Sequence, residues 1–249
     1  MNIPATRGHA ERLIVALDGP GSSGKSSVGA AAALRLGYRF LDSGLLYRAA
    51  TWLSLRRRVA ATDVAGLVAL VDEISLAPDE YGRLDRVLVD GEDVTDLVRT
   101  PPVDAAVSLV SKVAELRAAL LPRQRSLATE GGIIVAGRDI GTVVLPHAPR
   151  KLFLDASVEQ RARRRAEERA IDPQGSEGRA ILDELRRRDG LDRGRAVAPL
   201  RAAEDAVHLR TDGNRFEETV SLVVDAIRDA EDRETRARAD ETPVPGGRT

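Results

Sequence analysis

A chain of 249 residues, 43% of them hydrophobic, can bury a sizeable core, and its length suits one α/β domain with an insert or two small domains. Its 38 basic residues almost balance 39 acidic ones for a net charge of −1, which argues against a protein working mainly through non-specific affinity for nucleic acid. Zero cysteines exclude disulfides, thiolate metal sites and cysteine nucleophiles, and no stretch approaches the roughly 20 apolar residues needed to cross a bilayer. Neither a nucleic-acid nor a membrane partner is therefore expected, and the cytoplasm is the default location.

In chain order, the polar segment Met1 to Glu11 lacks the apolar core of a signal peptide and reads as a flexible N-terminus. The apolar run Leu13 to Leu17 predicts a strand, and Val28, Ala32 and Leu36 recur at helical spacing over Lys25 to Leu36. Between them stands Gly19-Pro20-Gly21-Ser22-Ser23-Gly24-Lys25-Ser26-Ser27, a P-loop in strand–loop–helix context. Its glycines let backbone N–H groups turn around phosphate oxygens, the helix that follows presents the positive end of its dipole, Lys25 reaches the β- and γ-phosphates, and Ser26 offers a hydroxyl to Mg²⁺. The pattern predicts binding of a nucleoside triphosphate. Lysine is scarce here, only Lys25, Lys112 and Lys151, and one of the three stands where a P-loop needs it.

A strand over Arg39 to Leu41 and a helix opened by Ser43 as N-cap complete a βαβ rhythm. Between about Ile74 and Asp96 the texture changes, and Asp90-Gly91 after the β-branched run Val87 to Val89 signals a hairpin in a small antiparallel insert. Strands then follow at Ile133 to Ala136, Lys151 to Leu154 and Ala206 to Leu209, and helices at Val158 to Arg169, Glu177 to Arg188 and from Phe216 through Ile227. These alternations predict an α/β fold in which a buried parallel sheet is wrapped by helices. The charge-alternating tail after about Glu234, ending Pro243-Val244-Pro245-Gly246-Gly247, reads as a disordered extension, residues 235–249.

A P-loop is shared by kinases, GTPases and mechanical ATPases. The only asparagines are Asn2 and Asn214, neither followed by lysine, so a guanine-reading Asn-Lys-x-Asp element is missing, and the strand ending at Asp155 lacks the paired acids of a hydrolytic motor. Transfer between two phosphates instead calls for arginine forks facing the P-loop. Arg48 follows the second strand, Arg138 and Asp139 leave the C-terminal end of the strand Ile133 to Ala136, and Arg188, Asp192 and Arg195 are spaced for one helical face, though Gly190 and Gly194 cost a helix there about 1 kcal/mol each and leave a hinged loop equally open. Arg161, Arg164 and Arg165 share a face that suits a lid over ATP, although Arg163 and Arg164 stand four residues before Glu167 and Glu168, and such surface i,i+4 pairs account for much of the pattern.

Taken together, Asp18-Gly19-Pro20, Leu41-Asp42-Ser43-Gly44 through Tyr47-Arg48, Gly91-Glu92-Asp93-Val94, Gly137-Arg138-Asp139-Ile140-Gly141-Thr142-Val143-Val144 and Arg195-Ala196-Val197-Ala198-Pro199-Leu200 closely resemble the bacterial-type cytidylate kinases. The resemblance covers nearly the whole folded chain. It implies a P-loop kinase with a nucleoside-monophosphate insert over about residues 62–98 and a helical lid over about 158–190, within one kinase domain over 12–234. It implies a monomer that transfers the γ-phosphoryl of ATP, with Mg²⁺, to CMP or dCMP. The acceptor-phosphate arginines fall on Arg48, Arg138 and Arg195, the cytosine contacts on Ser108, Arg117 and Asp139, and the sugar contacts on Ser43, Arg188 and Asp192. Lys25, Arg138 and Arg195 would act on the reacting phosphates. The chain departs from the family at Pro146-His147-Ala148-Pro149, where an acid commonly separates the prolines, and at Gly190-Leu191, where polar residues are frequent. A kinase for another small acceptor, or an ATP-binding regulatory module without transfer, remain the alternatives.

Overall fold

A computed structural model describes residues 12–241; the expected flexible N-terminus at 1–11 lies outside them, as does 242–249. The apolar run Ile14–Asp18 is β1, and α1 (Lys25–Leu36) follows the glycine-rich loop and stops at Gly37, whose φ of 67° provides a left-handed C-cap. β2 (Arg39–Asp42) leads into α2 (Gly44–Arg57). Ser43 occupies the N-cap position of α2 without capping it through its side chain, because its hydroxyl donates to the Ala136 carbonyl at 2.8 Å while Asp42 accepts from the Gly44 N–H at 2.9 Å.

The insert contains α3 (Val64–Ala69), β3 (Ile74–Ala77), β4 (Arg83–Leu84), β5 (Arg86–Val89) and β6 (Glu92–Asp93). Asp90 and Gly91 turn the β5–β6 hairpin with φ of 50° and 82°, both in the left-handed region that a tight hairpin demands. Two helices not marked out by the pattern above come next, α4 (Pro101–Val110) and α5 (Ala114–Ala128). β7 (Ile133–Gly137), a π-helical turn over Ile140–Val144 and β8 (Arg150–Asp155) precede α6 (Val158–Glu168), α7 (Ser176–Arg193), β9 (Val207–Arg210) and α8 (Phe216–Glu241).

The main sheet runs β4-β2-β7-β1-β8-β9 with every pairing parallel, and the insert forms a separate antiparallel sheet β3-β5-β6. β4 joins the edge of the main sheet, so the insert is stitched to the body at β2. The inner strands β1 and β7 are unbroken apolar runs because helices cover both of their faces. One face packs against α1 and α8 through Val28, Ala32, Val220, Val224 and Ile227. The other carries Ile133, Val135, Ile140 and Val144, with Ala128 of α5. A larger core joins α2, α3, α4 and α5 to the insert, and α6 and α7 share a small seam of Ala162, Ala166, Ile181 and Leu185.

One expectation is corrected, and one of two open alternatives is decided. The segment 235–241 is helical rather than disordered, since α8 continues to Glu241 and the alternating charges support a solvated helix through pairs such as Glu234 with Arg238, i to i+4, at 3.2 Å. The remainder of the expected tail, 242–249, lies outside the described residues. Gly190 does not hinge α7, which runs to Arg193 because Leu185, Asp189 and Asp192 bury one continuous face.

Candidate active site

Strand register determines where the site lies. Asp18 aligns with Gly137 and with Phe153, and Asp42 with Ala136, so the loops leaving β1, β2 and β7 emerge side by side at the C-terminal edge, where open parallel sheets bind ligands. A cleft of about 440 Å³ opens there, walled by the P-loop, the start of α2, the turn after β7, and α4, α6 and α7.

Local geometry makes the P-loop an anion cradle. Ser22 and Gly24 have φ of 56° and 89°, and α1 begins without a side-chain cap, which leaves its first-turn amides to a ligand. At Gly19 a Cβ would stand 2.2 Å from the Leu154 carbonyl oxygen, so only glycine allows the loop to cross β8 this closely. Lys25 Nζ donates to the Pro20 carbonyl at 3.2 Å. Burial, then the nearby Arg138 charge, holds the Lys25 ammonium well below its ordinary pKa, with Asp42 opposing. Ser23 Oγ is buried with no hydrogen-bond partner among the described residues. Ser26 Oγ donates to Asp42 Oδ2 at 2.6 Å, which pairs two hard oxygen donors beside the cradle, a set suited to a divalent cation. Asp42 was not singled out by sequence reasoning, although its place at the end of the second strand is a usable signal.

Opposite the cradle, one carboxylate organises two forks: Asp192 accepts from Arg138 Nε at 3.0 Å and from Arg195 Nη2 at 2.5 Å. Burial raises the Asp192 pKa, yet Arg138, Arg195 and Arg188 outweigh it and keep the acid below its usual range. Arg188 Nε is buried without a hydrogen-bond partner among the described residues, and burial, then Arg138, lowers its pKa to about 10. A phosphate oxygen would relieve both. Arg48 is held by the Val98 carbonyl at 3.0 Å and Asp104 at 2.6 Å.

Deeper in, Arg117 and Asp139 form an ion pair at 2.5 Å with each side chain 7% exposed, while Arg117 also donates to the Ser111 carbonyl and lies over the Tyr47 ring. Asp18 fixes the segment carrying Arg138 and Asp139 by accepting the N–H groups of Ile140 and Gly141, both at 2.8 Å. Arg161 of α6 is buried, closed on Asp189 of α7 at 2.5 Å, and donates to the Gly21 carbonyl at 2.9 Å. The lid arginines thus divide: Arg161 holds the P-loop backbone, Arg164 holds Thr211, and Arg165 faces the cleft.

Of the expected contacts, Ser43, Arg48, Arg117, Arg138, Asp139, Arg188, Asp192 and Arg195 wall the cleft, as do Gly21, Ser22 and Gly24 to Ser27 of the P-loop. Gly19, Pro20 and Ser23 lie behind the wall, and Ser108 is buried in α4 away from it, where Ser111 lines the cleft instead. Asp104, Arg99 and Arg169 are cleft residues that sequence reasoning passed over, and Arg165, one of the lid candidates, lines the cleft beside them.

The sequence matches the family model described as cytidylate kinase over residues 15–229. It is 45% identical to the cytidylate kinase of Nocardia farcinica, a match covering 84% of this chain and 90% of that protein, and 44% identical to that of Geobacillus kaustophilus, covering 87% and 96%. Among solved structures, a shikimate kinase from Acinetobacter baumannii in complex with shikimate superposes with a TM-score of 0.43 at 16% identity, over 88% of this chain and 95% of that one. With a parallel sheet, a P-loop and an arginine-walled cleft inside the matched span, the chain belongs to the cytidylate kinase family of ATP-dependent kinases.

Proposed function

We propose that this chain transfers the γ-phosphoryl group of ATP to CMP or dCMP, releasing ADP and CDP or dCDP. The observation that carries the reading is the pairing of an uncapped P-loop with a cation-rich wall, above a buried Arg117–Asp139 pair at 2.5 Å. The P-loop amides and Lys25 bind the ATP phosphates. Arg48, Arg138 and Arg195 bind the acceptor phosphate, and Arg188 and Lys25, buried cations of the same cleft wall, would meet the negative charge that accumulates between the two. Ser26 and Asp42 would hold Mg²⁺, which supplies charge neutralisation on the triphosphate when bound. The acceptor phosphate oxygen is already anionic, so positioning suffices and no general base is assigned.

For the base, Asp139 accepts from the cytosine exocyclic amine and Arg117 donates to the ring acceptors, with Ser108 behind; uracil, bearing a carbonyl at that place, would face the carboxylate unpaired. Ser43 and Asp192 serve the sugar. Residues 62–98 form the monophosphate insert and 158–190 the lid, within one kinase domain. The same reading makes the protein a monomer of cytoplasmic pyrimidine nucleotide metabolism, acting on small molecules.

The test is ADP formation from Mg·ATP with CMP, dCMP, UMP, AMP or no acceptor, with Lys25→Ala as control. Turnover with CMP and dCMP, lost by several orders of magnitude in a folded Lys25→Ala variant, is expected. Turnover confined to another acceptor would overturn the cytidine assignment, and none at all would overturn the kinase.

A further inference from the structure

One acid in the cleft wall has no part in the chemistry just described. Asp104 stands in the first turn of α4, after Pro101 and Pro102, with its side chain 18% exposed. Its Oδ1 accepts from Arg48 of α2 at 2.6 Å, and its Oδ2 lies 3.6 Å from Arg165 and 3.6 Å from Arg169 at the end of α6. Arg99 lines the same cleft, and Glu168, another acid of its wall, is engaged with Arg165 at 3.2 Å.

We infer that Asp104 is a positioning residue that latches the α6–α7 pair onto the acceptor side of the cleft, one carboxylate shared by Arg48 and by two arginines of the lid. The seam between α6 and α7 is small and internal to that pair, so their position over the cleft depends on polar contacts with the body. Without the carboxylate, the guanidinium groups of Arg48, Arg165 and Arg169 would face one another, and like-charge repulsion would lift α6 away. With it, the fork proposed to receive the acceptor phosphate is already tied to the lid, which couples acceptor binding to lid position. A first-turn acid also favours its own helix dipole, but that role would leave α6 unmoved when the charge is removed.

Because the chain has no cysteine, Leu109→Cys on α4, where the leucine is 56% exposed, and Glu167→Cys on α6, where the acid is 55% exposed, allow two spin labels to be placed specifically. Pulsed EPR on the ligand-free protein should give a narrow, short distance distribution in the parent and a longer, broader one in Asp104→Asn. Asp104→Glu should restore the short distance, and Arg165→Ala combined with Arg169→Ala should reproduce the long one without touching α4. In the same series, Asp104→Asn should raise KM for CMP about tenfold, more than it lowers kcat. A distribution unchanged in both Asp104→Asn and the double arginine variant would overturn the latch. The kinetic arm rests on the proposed CMP reading, whereas the distance arm does not, so a parent that ignores CMP would sink that reading and leave the latch to be decided by EPR.

Discussion

Asp189→Ala tests whether the lid holds the P-loop in shape. Arg161 and Asp189 are 2% and 8% exposed, their oxygens and nitrogens meet at 2.5 Å and 3.3 Å, and the remaining Arg161 donors go to the Ala156 and Gly21 carbonyls at 3.0 Å and 2.9 Å. Desolvating both ions opposes their mutual attraction, so the intact pair contributes little net stability, but removing one partner strands a buried charge at a cost of about 3–5 kcal/mol. For a chain of this size, with 2–4 °C of Tm per kcal/mol, the expected fall is about 6–20 °C. Arg161→Met combined with Asp189→Ala removes both charges, and its loss should be well below the sum of the Arg161→Met and Asp189→Ala losses. Since Arg161 is also the Gly21 donor, both single variants should raise KM for ATP while leaving KM for CMP nearly unchanged. Scanning calorimetry of the cycle, with and without ATP, provides the measurement. Additive losses, or an Asp189→Ala Tm within about 2 °C of the parent, would refute the argument that the pair is desolvated and coupled.

Asp18 gives a pH prediction. Burial raises its pKa to about 6, against the two backbone N–H bonds and Lys25 that lower it, so between the unfolded value of 3.8 and 6 the folded protein binds the extra proton. This group's contribution to stability therefore falls as pH rises through that window, by about 3 kcal/mol in total. Denaturant unfolding of parent and Asp18→Asn should show a difference that changes with that sign between pH 4 and 6 and is flat above 7, and a constant difference would contradict it. Asp139→Ala should lower kcat/KM for CMP and shrink the CMP-over-UMP preference by at least about tenfold. The same variant leaves Arg117 buried without its partner and should lower Tm, but an unchanged CMP/UMP ratio would remove Asp139 from base reading whatever the stability loss.

The sequence made local chemistry legible and long-range partnership opaque. The P-loop, the parallel rhythm and the position of Arg138 could be read because each depends on residues close in the chain: continuous apolar runs mark strands buried on both faces, and glycines mark the turn that phosphate requires. Asp18 could not be given its task, since the amides it receives lie 122 and 123 residues away. Nor could Arg161, whose pattern fits a surface helix until α7 brings Asp189 against it from 28 residues on. Helix α5 went unmarked because Pro122 inside it argues against a helix, and burial of Leu116, Leu120, Gln124 and Ala128 on one face overrides that. Ser43 illustrates the converse: its residue type favours a cap, but the β7 backbone lies within reach and takes the hydroxyl instead.

Net charge hid the most consequential feature of the cleft. A chain at −1 concentrates Lys25, Arg48, Arg117, Arg138, Arg188 and Arg195 around one cavity, then restrains most of them with acids: Asp192 on Arg138 and Arg195, Asp104 on Arg48, Asp139 on Arg117. On the proposed reading, phosphate does not enter an unscreened field of cations; it shares guanidinium groups with resident carboxylates that already fix their orientation. Arg188 and Lys25, whose pKa values are depressed by burial and then by Arg138, are the exceptions on the same cleft wall. On that reading their charges meet the phosphates with no resident ion pair to displace among the described residues, which lets them stabilise the reacting groups electrostatically.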